Sequence, residues 1–258
     1  MTSGDALRST SLRLHAPFHE PVLVAHVTQG YESRRHSIER QLHGMLMPFE
    51  FMLDGDVSDL TPAVMARWFV PSLKPAAMQS CTCKHLLMYE QIVTRGWRGA
   101  LILEDDIILA DSFPQVFRAT LDELQRSNGF GIETAWVSYE NSTLRMPRGS
   151  QLKKGVHLYP ANRTRCTGAY YVGRRVAQTL LRLAETVKVS AGIDIWVDAM
   201  AAIVPEEIRI LWCHPTVAEQ GSMNGTFDSM DPRRRACLWR RVKWNADKLY
   251  KTVKNRAA

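Results

Sequence analysis

The twelve residues "ALILEDDIILAD", Ala100 to Asp111, decide how the rest of the chain is read. Four apolar residues run into three consecutive acids, Glu104, Asp105 and Asp106, and the chain then turns apolar again. A short, nearly all-apolar run suits a strand buried on both faces. Neighbouring carboxylates repel one another, so three of them at the end of such a strand need a compensating partner. Read as one continuous strand from Gly99 to Leu109, successive side chains alternate between faces. Glu104 and Asp106 then share a face and Asp105 points the other way, unless a bulge exchanges the two roles. Ligands of open α/β sheets bind outside the carboxyl ends of the strands. Two hard oxygen ligands there suit Mg²⁺ or Mn²⁺, which typically carries a diphosphate as well. A helix-capping or loop cluster of acids is the ordinary alternative.

Working outward, strands alternate with helices. "PVLVAHV" (21–27) and "FEFMLD" (49–54) read as strands. Between them "ESRRHSIERQLHGM" (32–45) has helical spacing, with Ile38, Leu42 and Met45 on one side. "GDVSDLTP" (55–62) is a loop, and the helix from Ala76 closes at Gly96. After the acids comes a helix with Pro114 in its first turn, then a strand at "TAWVSY" (134–139). Residues 140–154 read as a mobile polar loop. "GVHLYP", "TGAYYVG" and "IRILWCHP" are strands. One helix follows Gly173 with Val176, Leu180, Leu181 and Ala184 as its stripe, and another covers "IDIWVDAMAAIV" (193–204). This order predicts a single α/β domain of Rossmann-like kind, with a mostly parallel central sheet flanked by helices. The expected divisions are a disordered arm over 1–20, a catalytic domain over 21–225 and a basic helical extension over 226–258.

Composition sets the outer limits. At 258 residues, 45% hydrophobic and 23% charged, the chain can build a large core, which excludes disorder throughout. No window approaches the ~18 apolar residues of a membrane span. The first twenty residues lack the apolar block of a secretory signal, so a cytoplasmic location is expected. Five scattered cysteines, with Cys81 and Cys83 one residue apart, do not have zinc-knuckle spacing and read as reduced thiols. The net charge of +7 is concentrated in "RRRACLWRRVKW" and "KLYKTVKNR" at the C-terminus. Such a tail fits anionic lipid, nucleic acid or phosphate-bearing substrates, or is simply a solvated basic helix. With no aromatic-basic strand motif of the common RNA modules, nucleic acid ranks last among these.

The segment "KHLLMYEQIVTRGWRGALILEDDIIL" resembles glycosyltransferase family 25, the lipooligosaccharide-type sugar transferases. It carries a cysteine-containing helix, a Gly-aromatic turn and an apolar strand ending in Glu-Asp-Asp, here Cys81, His85, Gly96, Trp97 and Glu104 to Asp106. "VLVAHVTQGYESRRHSIERQL", "GAYYVGRRVAQTLL", "IDIWV" and "HPTVAEQ" are similar to further family segments in the same order, from about Val22 to Gln220. The chain departs from the family pattern at His26, Thr28, Ser80 and Lys84.

The resemblance implies a GT-A type fold and sugar transfer from a nucleotide donor, commonly UDP-galactose, to a glycan or glycolipid acceptor, generally with inversion. In that frame Asp106, with Glu104, holds Mn²⁺ or Mg²⁺ on the diphosphate. Asp105 faces the nucleotide ribose or holds the strand end. Thr28, Arg35 and His85 are further donor contacts. Arg35 is the arginine expected to reach a phosphate or uracil, and Arg34 the one expected on the helix surface. Asp194 is the candidate base for the acceptor hydroxyl, with Asp198 one turn on as second choice. A cap at the start of a helix is the ordinary role for Asp194. His214 and Gln220 are candidates for the acceptor side, and Trp97 or Trp196 for a stack on a sugar ring. Lipid-anchored acceptors give the basic tail a motive for peripheral contact with an anionic membrane. The competing reading is a catalytically degenerate member acting as a binding or scaffold protein.

Overall fold

The computed structural model describes residues 18–127, 131–228 and 237–256. Its first strands are β1 (Val22–Ala25), β2 (Glu50–Met52) and β3 (Gly99–Glu104). A short arm strand β4 (Ile107–Leu109) follows, then β5 (Ala135–Ser138), β6 (Leu158–Ala161), β7 (Ala169–Gly173), β8 (Arg209–Cys213) and β9 (Ala218–Gln220). Seven of them form one sheet in the order β2-β1-β3-β7-β5-β8-β6, and β4 pairs only with β9. In the large sheet five strands point one way, while β7 and β6 run against them.

Side-chain alternation divides the core in two. Ala100, Ile102, Trp136, Tyr170 and Val172 face one layer, and Leu101, Leu103, Val137, Ala169 and Tyr171 face the other. The first layer is covered by α2 (Pro62–Trp68), α3 (Ala77–Thr94), α5 (Arg174–Thr186) and α6 (Ile193–Ile203). The second is covered by α1 (Glu32–Gly44) and α4 (Phe113–Arg126). Trp136 stacks on Tyr170 with centroids 3.9 Å apart at 8°. Gly96 stops α3 with φ of +68°, a conformation that glycine adopts without strain. Two further helices, α7 (Gly221–Asn224) and α8 (Leu238–Arg256), complete the described chain.

Several expectations are corrected. The stretch Gly99–Leu109 is not one strand. β3 ends at Glu104, Asp105 and Asp106 form a turn, and β4 leaves the sheet to pair antiparallel with β9. Strict alternation across the three acids therefore does not hold. In α5 Leu183 is buried and Leu181 only half-buried, a one-step phase difference in the stripe. Helix α2, capped by the Thr61 hydroxyl accepting from Val64 N, starts at the last residue of the expected 55–62 loop and occupies a segment to which the sequence reading gave no element. Within 140–154, Glu140 and Asn141 are buried, and the Asn141 amide bonds Arg145 at both N and O. The expected arm over 1–20 lies up to residue 17 outside the described residues. No helix among the described residues is long and apolar enough to cross a membrane.

Candidate active site

Strand register assembles the acids at the carboxyl edge of the parallel strands. Ala25 of β1 lies opposite Glu104, so the next residue, His26, reaches Asp105. Asp105 N donates to the Ala25 carbonyl at 3.1 Å and Glu104 N to the Gly168 carbonyl at 2.8 Å. The second contact brings Thr167, just before β7, onto Glu104. On the far side Ile107 pairs with Gln220, and Gly221 N donates to the Asp106 carbonyl at 2.8 Å.

The three carboxylates then have separate partners. Glu104 Oε1 accepts from the Thr167 hydroxyl at 3.1 Å and lies 3.4 Å from His85 Nε2, while Oε2 accepts from Gln220 Nε2 at 2.9 Å. Burial alone would raise the Glu104 carboxyl, but the His85 and Thr167 contacts hold it below its ordinary range. Asp105 bonds His26 Nδ1 at 2.7 Å and Arg34 Nη1 at 3.3 Å. Asp106 Oδ2 accepts from Ser222 N at 3.2 Å, and its Oδ1 is buried without a hydrogen-bond partner. Burial first, and the Glu104 charge second, push Asp106 up to about 6. Protein partners thus supply much of the compensation that the sequence left open: the Arg34 guanidinium and the His26 ring at Asp105, and the His85 ring at Glu104.

Between β1, α1 and α3 lies a cavity of about 310 Å³ lined by His26, Tyr31, Arg34, Lys84, Glu104 and Asp105, among others. Here the structure reverses the expected placement of two arginines. Arg34 is buried, touches Asp105 and packs on the Tyr31 ring, with a further bond to the Asp228 carbonyl. Arg35 is exposed, pairs with Glu39 and lies over Phe51. The physical reason is helical phase: Arg34, Ile38 and Leu42 are four apart and share the inward face. Thr28 does not reach the acids. Its hydroxyl donates to Asp56 Oδ2 at 2.5 Å, and Asp56 pairs with Lys84 at 2.9 Å. Lys84 also donates to the Leu53 and Asp54 carbonyls. The departures at Thr28 and Lys84 therefore meet through Asp56, and His26 sits beside them on the cavity wall.

His85 is fully buried beneath the site, its Nδ1 2.7 Å from the Tyr170 hydroxyl. Asp194 stands half-buried in the first turn of α6, 3.9 Å from the Cys166 thiol. The same thiol lies 3.9 Å from Gln220 Oε1. Cys81 ties the group together. Its thiol is pushed well above the ordinary value by burial and then by Glu104, Asp194, Asp106 and Asp105 in turn. Asp198 faces elsewhere: it accepts from Thr164 N at 2.6 Å and lines a wider cavity of about 770 Å³ with Arg145 and Arg163. Trp196 is core, its Nε1 donating to the Lys188 carbonyl at 3.1 Å. Trp97 precedes β3 at the opposite end of the sheet from the acids and lies under Arg95. His214 packs on Tyr159 instead of the acids.

Sequence reading overlooked Glu140. It is fully buried at the end of β5, its Oε2 accepting from Ser142 N at 2.7 Å and from the Ser142 hydroxyl at 2.6 Å. Burial pushes it up to about 8, with Glu104 and Asp106 adding to the effect. The signal was weak, one acid after an apolar strand.

A family model described as glycosyltransferase family 25 (LPS biosynthesis protein) matches residues 29–200, about two-thirds of the chain. The chain belongs to glycosyltransferase family 25. No curated protein matches it. Membership makes it one of the glycosyltransferases of lipopolysaccharide biosynthesis. The family match stops within α6, so Gln220 and Ser222, which bind Glu104 and Asp106, come from beyond it.

Among the described residues, the metal-capable side chains that converge are Cys81, His85 and Glu104, with ligating atoms within 4.8 Å of one another. A high-lying thiol suits a hard cation poorly. The acceptor that does suit one is Asp106 Oδ1, unpartnered beside a second carboxylate.

Proposed function

We propose that this family 25 enzyme moves a hexose, galactose or a near relative, from a UDP-sugar to a glycan acceptor with inversion. The observation that carries the reading is the cavity lined by Arg34, Cys81, Glu104 and Asp105, with Asp106 and Asp194 close enough to act electrostatically on that Cys81 thiol. The uridine diphosphate occupies that cavity, where the Arg34 guanidinium meets phosphate or uracil oxygen. Lys84 takes no part, because its donors are spent on two carbonyls and Asp56. A divalent ion, Mn²⁺ or Mg²⁺, would be held by Asp106 with Glu104, supplying positive charge where the diphosphate departs.

The acceptor lies toward the wider cavity beyond α6, walled by Asp198, Arg145 and Arg163. Asp194 takes the proton of the acceptor hydroxyl as that oxygen bonds the anomeric carbon, and the bond to the diphosphate breaks with its electron pair. Asp198 positions the loop at Thr164 and does not act as a base.

The test is turnover of a panel of UDP-sugars with and without Mn²⁺. Sugar transfer or slow donor hydrolysis that needs Mn²⁺, and is lost in Asp106→Asn, supports the reading. Binding of UDP without turnover of any donor would replace it with the degenerate binding protein.

A further inference from the structure

Helix α8 docks on the domain by a narrow side and presents its apolar side to water. Residues four apart, Arg240, Trp244, Lys248 and Thr252, are the half-buried ones. Arg240 donates to the Ser222 carbonyl at 2.6 Å, Lys248 pairs with Glu219, and the Thr252 hydroxyl reaches Met146 Sδ at 3.9 Å. Leu238, Trp239, Val242, Leu249, Tyr250 and Val253 are all exposed, from 51% at Val242 to 76% at Leu238. At 100° per residue these six fall within an arc of about 120°, on the side away from the docked one. From Leu238 to Val253 the strip runs about 22 Å along the helix.

Charge limits what can cover it. The helix carries seven lysines and arginines against the single Asp247. Lys243 and Lys254 follow Trp239 and Tyr250 around the helix at one edge of the arc, and Arg241 lies beyond the other. Two copies packed strip to strip would oppose cation with cation, without the complementary flanks of a helical pair. A nucleic acid would use the cations and leave the apolar strip in water. An apolar strip bordered by aromatics and then by lysines matches the layered chemistry of an anionic lipid surface.

We propose that α8 is an interfacial helix that seats this protein on an anionic membrane, apolar arc inserted and flanking cations on the lipid phosphates. Its docked side touches Met146, and also Glu219 and Ser222, which flank Gln220 and the residue that joins the Asp106 turn. Seating α8 therefore holds the acid cluster next to the surface where a lipid-borne glycan is displayed. The acceptor part of this inference rests on the transferase reading; the membrane contact does not.

Co-sedimentation of the full chain with phosphatidylcholine vesicles, with and without phosphatidylglycerol, needs no donor sugar and so stands apart from any failure of that reading. Binding should require the anionic lipid and fall about tenfold or more in V242D/L249D, whose helix content and thermal midpoint serve as folding controls. K243E/K254E should weaken binding as well and flatten its salt dependence. Transfer to a water-soluble acceptor should be unchanged in V242D/L249D. Absence of vesicle binding would overturn the proposal. Vesicle binding that V242D/L249D leaves intact would do so too, since it would make α8 a general polyanion contact. A dimer in ultracentrifugation that V242D/L249D dissociates, without vesicle binding, would assign the strip to a second copy.

Discussion

In the proposed reaction Asp194 and Arg34 divide the work at the scale of single residues, one at the acceptor proton and the other at the donor. Asp194→Asn keeps the shape and removes the base, so transfer should fall by about 10²- to 10⁴-fold while UDP affinity holds. Steady-state kinetics with a separate UDP titration distinguishes the two effects. Arg34→Ala should weaken UDP binding by about tenfold or more, whereas Arg35→Ala should leave it nearly unchanged. Equal losses in both variants would contradict the placement of Arg34 in the cavity. Glu140 makes a prediction about pH. Its carboxyl is raised to about 8 from an ordinary value near 4.5. The stability it contributes is full below about 4.5, where both states are protonated, and is lost as pH rises through about 8. Glu140→Gln should therefore gain in thermal midpoint relative to the parent between pH 5 and pH 8.5 in a buffer series, the difference growing with pH. A difference independent of pH would mean that Glu140 is ionised in the folded protein.

At the scale of elements, the pairing of β4 with β9 closes the site. It brings Gln220 to Glu104 and Ser222 to Asp106 across more than a hundred residues of chain. Gly221 sits at the join, where an added Cβ would lie 2.9 Å from the Asp106 carbonyl and collide with the Phe227 ring. Gly221→Ala should lower the thermal midpoint by several degrees and reduce transfer, both through displacement of the Asp106 turn. A fully stable and active variant would show that the arm is not needed to hold the acids.

These elements also show what a sequence can carry. Strand β3 was legible because four apolar residues before three acids leave few other readings. Helix α1 was legible too, and its phase already put Arg34 with Ile38 and Leu42; an expectation of a surface arginine overrode that pattern. Strand β9, a three-residue "AEQ", has no periodicity to read, and its partner is far away in sequence. The division of Glu104, Asp105 and Asp106 among three sets of partners depends on the turn after β3. That turn follows from β4 finding β9, a long-range pairing that local propensity does not encode.

On the scale of the whole molecule, the sheet gathers one edge of strand ends into an acid cluster paired with Arg34 and two histidines, and α8 places that edge beside its exposed apolar strip. Family membership accounts for sugar transfer, and the cavity with Arg34 and the free oxygen of Asp106 accounts for how a nucleotide diphosphate and a hard cation would be held. The most direct test is the thermal midpoint of the full chain with UDP, with and without Mn²⁺. Binding to the folded state raises the midpoint through mass action. A rise with UDP that is enlarged by Mn²⁺, loses the enlargement in Asp106→Asn and vanishes in Arg34→Ala is the predicted result. No rise with UDP, or one that Asp106→Asn and Arg34→Ala leave untouched, would contradict the account.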